Sequence, residues 1–492
     1  MEPQRPRPTR APRNLRLWGA IGLSFGLMGP TLAMAGNGQG AVVLVGKSVP
    51  LVYIFGAIGV GLIGYGFIRL TQRYQGKGSA YSLVGMSIGP RAGLFAGLAM
   101  AASYILLTMA TLGALASFVN ALLADAQGSS HHPFQVSWIL VALLGAALSA
   151  YLNTKDLRLV VRVLLAMEAI GILGMTVLSL VIFARKAGTP DGVDFSVFTL
   201  HHMGPSVILS AITAAVLSWA GFEACAAIAT ETLNPTRNIP RALYWVVVIS
   251  SVLFVVVMFA QTIGFGTSKA GLADFAASPN SLTTLGHRYL GLWFSLVISF
   301  AAAMSAFSCQ LSASAAASRL VASFAEDGIG PRLFTRRGYN GQPDLALWTI
   351  IGFSAAVLTA CWATGRPVMG TGNPAIDVYL YFAITGVTAI IIIYFLVELG
   401  ALLHVWRERP SRRYEAVAAG AGMALLAASI YYSANGQSNW LNPTNVGLGL
   451  SGVALLVTLA SPHAVRRVHE RQCAEDLALD QRQAGDEAAL TR

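Results

Sequence analysis

The chain has little charge. Only 11% of its 492 residues are Asp, Glu, Lys or Arg, whereas 55% are hydrophobic, and the mean hydropathy is +0.61. A soluble domain carries about 25% charged residues, so this composition excludes a soluble globular protein. The net charge of +11 does not indicate nucleic-acid binding, because the basic residues lie between apolar runs, where a membrane protein needs them. The partner that the composition predicts is the lipid bilayer.

Cysteine and clustered histidine are also scarce. No CxxC pair occurs, so neither a disulfide framework nor a zinc site is indicated. The adjacent histidines at 131–132 and 201–202 lack the i,i+4 spacing that places two ligands on one helix face. We therefore expect no metal and no other cofactor. The four cysteines are Cys225, Cys309, Cys361 and Cys473.

Long apolar runs fill the rest of the chain. A membrane-spanning helix needs roughly 20 mainly apolar residues, and the sequence predicts twelve such spans: 17–45, 49–70, 93–123, 136–152, 160–184, 206–231, 241–266, 290–318, 345–364, 376–403, 414–434 and 444–462. The fold class is therefore an all-α integral membrane protein. The expected parts are a tail at 1–16, a ten-helix core at 17–403, two further helices at 404–462 and a tail at 463–492.

The N-terminus has two interpretations. The basic stretch from Arg5 to Arg16, the apolar residues after it and the Ala33-Met34-Ala35 sequence resemble a cleavable signal peptide. The apolar stretch continues to Val45, however, and many more spans follow. We therefore favour an uncleaved first helix.

The loop charges predict the orientation. With a cytoplasmic N-terminus, the segments on the cytoplasmic side hold 27 of the 33 Lys and Arg residues, and the opposite segments hold 6. Cytoplasmic loops carry an excess of Lys and Arg. Both termini are therefore expected in the cytoplasm of a multi-pass protein of the cell membrane, as an even number of spans requires.

Spans one and six both contain an interruption. In span one, Pro30 disfavours helical geometry at Gly29 but suits the first position of a new helix. In span six, Gly221 lies beside Glu223, and a carboxylate near the bilayer centre costs ~2.5–3.5 kcal/mol on insertion scales, so it marks function by default. Glycine and proline are common in membrane helices, which is the alternative explanation. Interruptions at the start of two five-helix halves instead favour an inverted repeat with a site at the midplane.

The two breaks offer complementary chemistry. The second half of span one begins near the midplane, so its N–H groups at residues 31–33 are expected to be free, and this positive end suits a carboxylate. The first half of span six ends there, which frees carbonyls at residues 218–220 for an ammonium group. The predicted site therefore suits a zwitterion.

Several segments carry a resemblance to a known family. They are Met28-Gly29-Pro30-Thr31, Gly221-Phe222-Glu223, the stretch 231–242 (ETLNPTRNIPRA), residues 76–81 with Ile88-Gly89-Pro90, and residues 315–319 with 327–331. In this combination the chain resembles the amino acid–polyamine–organocation permeases over nearly its whole length. It departs from them at Glu326, where the family usually has Arg, and at Gly330, where it has a large apolar residue. Both departures affect residues expected to form gating contacts, and they do not change the family that the chain resembles.

The resemblance implies a fold and a site. The fold is a five-plus-five inverted-repeat core of the leucine-transporter type, with helices one and six interrupted and two extra helices at the C-terminal end. The activity is alternating-access transport rather than catalysis. The implied substrate contacts are Met28, Gly29, Thr31, Leu32, Ser218, Trp219, Ala220 and Gly221, with Phe222 next to the second break.

Further polar residues have open roles. Glu223 and Glu168 are the candidates for proton coupling, although Glu168 also suits a partner for a break or a bond to a neighbouring helix. Glu398 is expected to reach the interface, and Glu231 to form a salt bridge with Arg237 or Arg241.

The aromatic and hydroxyl side chains do not decide which residues line the pocket or which ion is coupled to transport. Tyr104, Tyr379, Tyr381 and Phe382 face either the pocket or other helices. The serines of span eight suit a sodium ion or close helix packing. Span five has no lysine to replace that sodium, and Gly171 stands near the corresponding place, so H⁺ and Na⁺ both remain candidates. The serines are Ser305, Ser308, Ser312 and Ser314.

The function that the sequence favours is secondary transport of amino acids or related amines, by proton symport or by exchange. The alternatives are a carrier of polyamines or other organic cations with the same fold, an ion channel and a membrane-embedded enzyme. A channel needs more polar residues along its spans, and an enzyme needs paired His/Asp motifs, which are absent from the sequence. Cys225, just beyond the break in span six, is expected to line the cavity. The sequence predicts neither the substrate nor the oligomeric state.

Overall fold

The chain is built from helices. The computed structural model describes residues 16–74, 79–127, 136–155, 158–189, 192–201, 203–227, 232–338, 342–408, 414–435 and 439–470, and no β-strand occurs within these ranges. The α-helices are α1 (Leu17–Met28), α2 (Pro30–Val45), α3 (Val49–Arg73), α4 (Ala80–Ser87), α5 (Pro90–Ala126), α6 (Trp138–Asn153), α7 (Arg158–Ala187), α8 (Pro205–Val216), α9 (Ala224–Ala227), α10 (Pro235–Phe265), α11 (Lys269–Ala277), α12 (Ser281–Leu290), α13 (Leu292–Glu326), α14 (Asp344–Thr364), α15 (Pro374–Glu408), α16 (Tyr414–Asn435) and α17 (Pro443–Ala460).

Many of these helices are long and apolar enough to cross a bilayer. Among the described residues nine helical stretches meet that criterion, and Trp138–Asn153 and Pro205–Trp219 are shorter apolar helices. One of the nine, Leu17–Arg73, contains two of the spans predicted from the sequence. Of the shorter helices, Trp138–Asn153 overlaps predicted span four and Pro205–Trp219 covers the first part of predicted span six. The described part of the chain thus has many helices that could span a bilayer, while the count of twelve stays a prediction.

The first span breaks at one residue, as the sequence predicted. Helix α1 ends at Met28 and α2 begins at Pro30, and the residue between them, Gly29, has a left-handed backbone with φ 56° and ψ 64°. Glycine adopts this conformation without steric cost. Pro30 has no N–H to lose at the first helical position. The break therefore follows directly from the Gly-Pro pair.

The sixth span is interrupted over a longer stretch. Helix α8 ends at Val216, a 3₁₀ turn covers Leu217–Trp219, and the backbone then opens at Gly221, where φ is 99°. A short helix, α9, follows. Both predicted interruptions are therefore present.

Small residues let the central helices approach closely. Helix α5 packs along both α13 and α15. A Cβ atom on Gly113 would lie 2.9 Å from the Ala375 carbonyl oxygen, and one on Gly386 would lie 3.2 Å from the Ser103 carbonyl oxygen. Helix pairs in membranes use such residues because van der Waals packing holds them together. This frame encloses the two broken spans.

Candidate substrate site

A narrow cavity lies where the two breaks meet. The space inside it that the centre of a water molecule can occupy is about 50 Å³. One water needs roughly 10–15 Å³ by this measure, so the cavity holds only a few waters. No lining residue among those described is charged. The walls are formed by Leu27, Met28, Leu32, Ala33, Asn37, Tyr104, Leu107, Thr111, Leu217, Ala220, Gly221, Cys309, Ala313, Tyr379 and Ile390.

The two breaks touch each other. A Cβ atom on Gly221 would lie 3.2 Å from the Cγ of Leu27 and 3.3 Å from the backbone nitrogen of Met28. The hydroxyl of Ser24 joins the same segments, since it donates to the Phe222 carbonyl at 2.9 Å and accepts from the Cys225 N–H at 2.9 Å. The opened backbone of span six is therefore held against the end of α1.

The start of α2 is fully occupied by protein groups. Pro30 has no N–H, the Thr31 N–H donates to Glu168 Oε1 at 2.7 Å, and the Leu32 N–H donates to Ser305 Oγ at 3.1 Å. The Thr31 hydroxyl also donates to Glu168 Oε1, at 2.8 Å. The Ala33 N–H bonds within the helix, to the Gly29 carbonyl. The prediction of free N–H groups at residues 31–33 is therefore wrong, because side chains of α7 and α13 reach them.

Gly171 makes the contact with Glu168 possible. A Cβ atom at Gly171 would overlap the Thr31 side chain, so a glycine here lets α7 lie directly against α2. Glu168, almost one turn earlier on α7, is 3% exposed, and its Oε2 has no hydrogen-bond partner among the described residues. The structure shows one of the roles considered for Glu168, since its carboxylate accepts both bonds from Thr31 at the break in span one. Its role in proton coupling stays a prediction.

Glu223 lies behind the cavity wall rather than in it. The Tyr394 hydroxyl donates to Glu223 Oε2 at 2.7 Å, and Glu223 is 5% exposed. Phe222, beside it, packs edge-on against Phe67 and Tyr394, with ring centroids 5.3 and 5.5 Å away. The carboxylate is thus linked to α15 through one tyrosine.

A polar network that sequence reasoning missed includes two residues of the cavity wall, Asn37 and Tyr379. Asn37 Nδ2 donates to Ser218 Oγ at 2.8 Å, and the Tyr379 hydroxyl donates to Asn37 Oδ1 at 2.5 Å. The Tyr53 and Ser218 hydroxyls share a further bond of 2.9 Å. The signal was available, since Asn37 and Gln39 are amides inside an apolar span, and such groups bond across membrane helices.

The predicted substrate contacts fall into two groups. Met28, Leu32, Tyr104, Ala220 and Gly221 line the cavity. The side chains of Ser218, Trp219 and Phe222 are buried away from it, as is Thr31, and Gly29 forms the hinge next to it. Trp219 is fully buried against Tyr53 and Phe254. Whether any of these residues touches a substrate stays a prediction.

Three further expectations concern aromatic and serine side chains. Tyr379 lines the cavity, whereas Tyr381 donates to the Leu441 carbonyl, and Phe382 does not belong to the cavity wall. The Ser305 hydroxyl accepts from the Leu32 N–H at the start of α2, whereas the Ser314 hydroxyl accepts from Asn153 of α6. These two serines of α13 therefore bond to different helices.

Within the described residues no group of three or more His, Cys, Asp or Glu side chains could hold a metal.

Glu398 is not where the sequence placed it. The side chain is 0% exposed, so the prediction that it reaches the interface is wrong. Gly66 and Gly422 leave the space between α3 and α16 that this carboxylate fills, and a Cβ atom on Gly66 would overlap it. The ion pair on these helices is instead Arg69 with Glu415, at 2.6 Å. Glu231 lies outside the described residues.

The cysteine that borders the cavity is Cys309, not Cys225. Cys225 is fully buried beneath Ser24, whereas Cys309 belongs to the cavity wall and its thiol donates to the Leu27 carbonyl at 3.3 Å. We therefore expect a small membrane-impermeant thiol reagent to modify Cys309 when the cavity opens, and bound substrate to slow the reaction. The check is mass spectrometry of labelled protein, with Cys225→Ala retaining the label and Cys309→Ala losing it. Labelling that persists in Cys309→Ala and disappears in Cys225→Ala would contradict the geometry.

Comparison with known proteins assigns the family. Residues 15–459 match the model described as "Amino acid permease". The chain is 24% identical over 295 residues to the low-affinity putrescine importer PlaP of Escherichia coli, which covers 58% of this chain and 61% of the importer. It is 23% identical over 345 residues to the branched-chain amino acid permease BcaP of Lactococcus lactis, covering 67% of this chain and 72% of that permease. This chain therefore belongs to the amino acid permease family, which consists of membrane transporters rather than enzymes.

Proposed function

We propose that this protein is a secondary active transporter that moves a small amine-bearing substrate, an amino acid or a related amine, across the cell membrane by alternating access. The observation that carries the proposal is the cavity at the junction of the two broken spans. It is walled by Met28 and Leu32 on one span and by Ala220 and Gly221 on the other. A site shared by two interrupted helices is typical of such carriers.

The proposed architecture is twelve spans with a five-plus-five inverted-repeat core. Support comes from the position of the breaks, since Gly29 interrupts the first predicted span and Gly221 the sixth. Interruptions at equivalent points of two halves are the feature expected of such a repeat. Both termini are proposed to lie in the cytoplasm, on the strength of the loop charges.

Alternating access requires the cavity to open to one side at a time. The present cavity has room for a few waters, so a larger substrate requires its walls to separate. Gly29 and Gly221 are the natural hinges, because each already has a positive φ and small changes there redirect a whole half-helix. The two half-helices α1 and α2 are therefore proposed to move independently.

Proton coupling is proposed to run through Glu223. The carboxylate is buried, is bonded to Tyr394 and lies two positions after Gly221 of the cavity wall. A substrate ammonium in the cavity stabilises the ionised form of a nearby carboxylate, which links proton release to substrate binding. Exchange of two substrates without net proton movement is the alternative mode.

The names of the relatives point to two kinds of substrate. One relative is a putrescine importer and the other a branched-chain amino acid permease. We therefore propose amino acids and amines as the classes to screen with purified protein. A ligand that binds the folded protein raises its melting temperature with concentration.

Filling the cavity tests whether it is the binding site. Ala313 lies in its wall, so Ala313→Leu adds three carbons to a space that holds only a few waters. We expect this variant to lose the ligand-dependent thermal shift. Ala356→Leu, on the exposed face of α14, is the matched control and is expected to keep it. An unchanged shift in a folded Ala313→Leu would place the binding site elsewhere.

A further inference from the structure

The structure indicates which of the two substrate classes fits. A free carboxylate of an amino acid needs donors, and in a broken membrane helix these are the N–H groups at the start of a half-helix. At α2 none remains: Pro30 has no N–H, and those of Thr31 and Leu32 donate to Glu168 and Ser305. The Gly29 N–H belongs to α1, where it bonds to the Phe25 carbonyl. Each of the N–H groups at the helix start is thus accounted for.

The cavity wall offers a carboxylate no cation. None of its described residues is Lys, Arg or His. Two buried carboxylates lie close by instead. Glu168 is bonded to Thr31, the residue before Leu32 of the wall, and Glu223 follows Gly221 of the wall by two positions.

The wall does offer acceptors for an ammonium group. The hydroxyl oxygens of Tyr104 and Thr111 can accept, as can backbone carbonyls at the two breaks. Glu168 Oε2 is buried and has no hydrogen-bond partner among the described residues, so in the ionised form it can accept a further bond next to the site.

We propose that the transported substrate is an amine without a carboxylate, and that Glu168 occupies the position that a substrate carboxylate would otherwise take. This inference rests on the proposed transport function and narrows it. The hydrogen-bond accounting holds in either protonation state of Glu168, because Oε1 accepts from both Thr31 groups and a proton on Oε2 leaves them in place. An amino acid would have to displace this internal carboxylate or bind with its own carboxylate paired only to a neutral donor such as the Tyr104 hydroxyl.

Matched pairs of compounds test the proposal directly. Leucine and isoamylamine differ only by the carboxylate, and so do lysine and cadaverine. The concentration of each compound that gives half of the maximal thermal shift is measured with purified full-length protein. We expect each amine to bind at least ~10-fold more tightly than its amino acid, since a buried charged group that is poorly paired costs on the order of tenfold to a hundredfold in affinity.

The outcomes separate this inference from the function on which it rests. Tighter binding of leucine or lysine than of the matched amine would overturn the inference and leave amino acid transport standing. Equal binding within a pair would also overturn it, because the carboxylate would then carry no penalty. Absence of any shift with a wide set of amino acids and amines would overturn the proposed function itself.

A variant of Glu168 supplies the second measurement. Glu168→Ala frees the Thr31 N–H, so the preference for amine over amino acid is expected to fall by ~10-fold or more. If the alanine variant does not fold, the affinities of the amine and the amino acid are compared in Glu168→Gln instead. The glutamine keeps an oxygen that can accept from the Thr31 N–H. In Glu168→Gln the amino acid is expected to stay the weaker ligand. Glu470→Ala and Glu470→Gln, at an exposed position outside the cavity wall, are the matched controls and should leave the ratio unchanged. A wild-type ratio in Glu168→Ala would contradict the proposal.

Discussion

Replacing Gly29 by valine is expected to abolish substrate uptake while the protein still inserts into the membrane. Gly29 has φ 56°, a conformation that costs a β-branched residue on the order of 1–3 kcal/mol. A Cβ atom there would also overlap Cys309 Sγ and lie 3.2 Å from Ser305 Oγ. Valine would therefore disturb both the hinge and the residue that caps Leu32. Uptake into proteoliposomes that contain equal amounts of protein measures the loss.

The control for this variant lies on the same helix. Gly22 is a helical glycine of α1, and a Cβ atom there would have no neighbour within 4 Å. Gly22→Val is therefore expected to retain most of the uptake. Comparable uptake by Gly29→Val and Gly22→Val would show that the break at Gly29 is not needed for transport.

Replacing Glu223 by glutamine is expected to flatten the pH dependence of uptake between about pH 5 and 8. The amide keeps the size of the side chain and can still accept from the Tyr394 hydroxyl, but it cannot take up or release a proton. Exchange of substrate between the two sides should survive in part, since it needs no net proton movement. Initial uptake rates across this pH range, with and without a proton gradient, give the comparison.

Two further variants show whether an altered pH profile comes from titration. Tyr394→Phe removes the hydrogen bond but leaves the carboxylate, so its uptake should still depend on pH. Glu470→Gln changes an exposed glutamate outside the cavity wall and should behave like the wild-type protein. If Glu223→Gln kept the wild-type rate and pH profile, Glu223 would be structural, and Glu168 would be the next candidate.

Local chemistry made the breaks predictable from the sequence. The Gly29-Pro30 pair dictates the end of one helix and the start of another through backbone geometry alone, and the structure has the break at that residue. The cost of a carboxylate in an apolar span likewise singled out Glu223, which the structure buries against Tyr394. Features that depend on one residue and its bilayer environment can be read in this way.

Contacts between distant segments were not predictable. Glu168 is 137 positions from Thr31, and only the packing of α7 against α2, permitted by Gly171, brings them together. Glu398 is buried for a similar reason, because Gly66 and Gly422 leave space beside it. Hydropathy gives the depth of a residue in the membrane but not its neighbours, so both the capped end of α2 and the buried Glu398 required the structure.

Counterflow in proteoliposomes tests the central claim most directly, because it separates a carrier with one alternating site from a channel. Vesicles that contain the purified protein are loaded with an unlabelled amine or amino acid that gives a thermal shift, and a trace of the labelled compound is added outside. We predict a transient, saturable accumulation of label inside the vesicles, which is lost in Gly29→Val and retained in Gly22→Val. Label that enters only to equilibrium, without overshoot and without saturation, would contradict alternating access at this site.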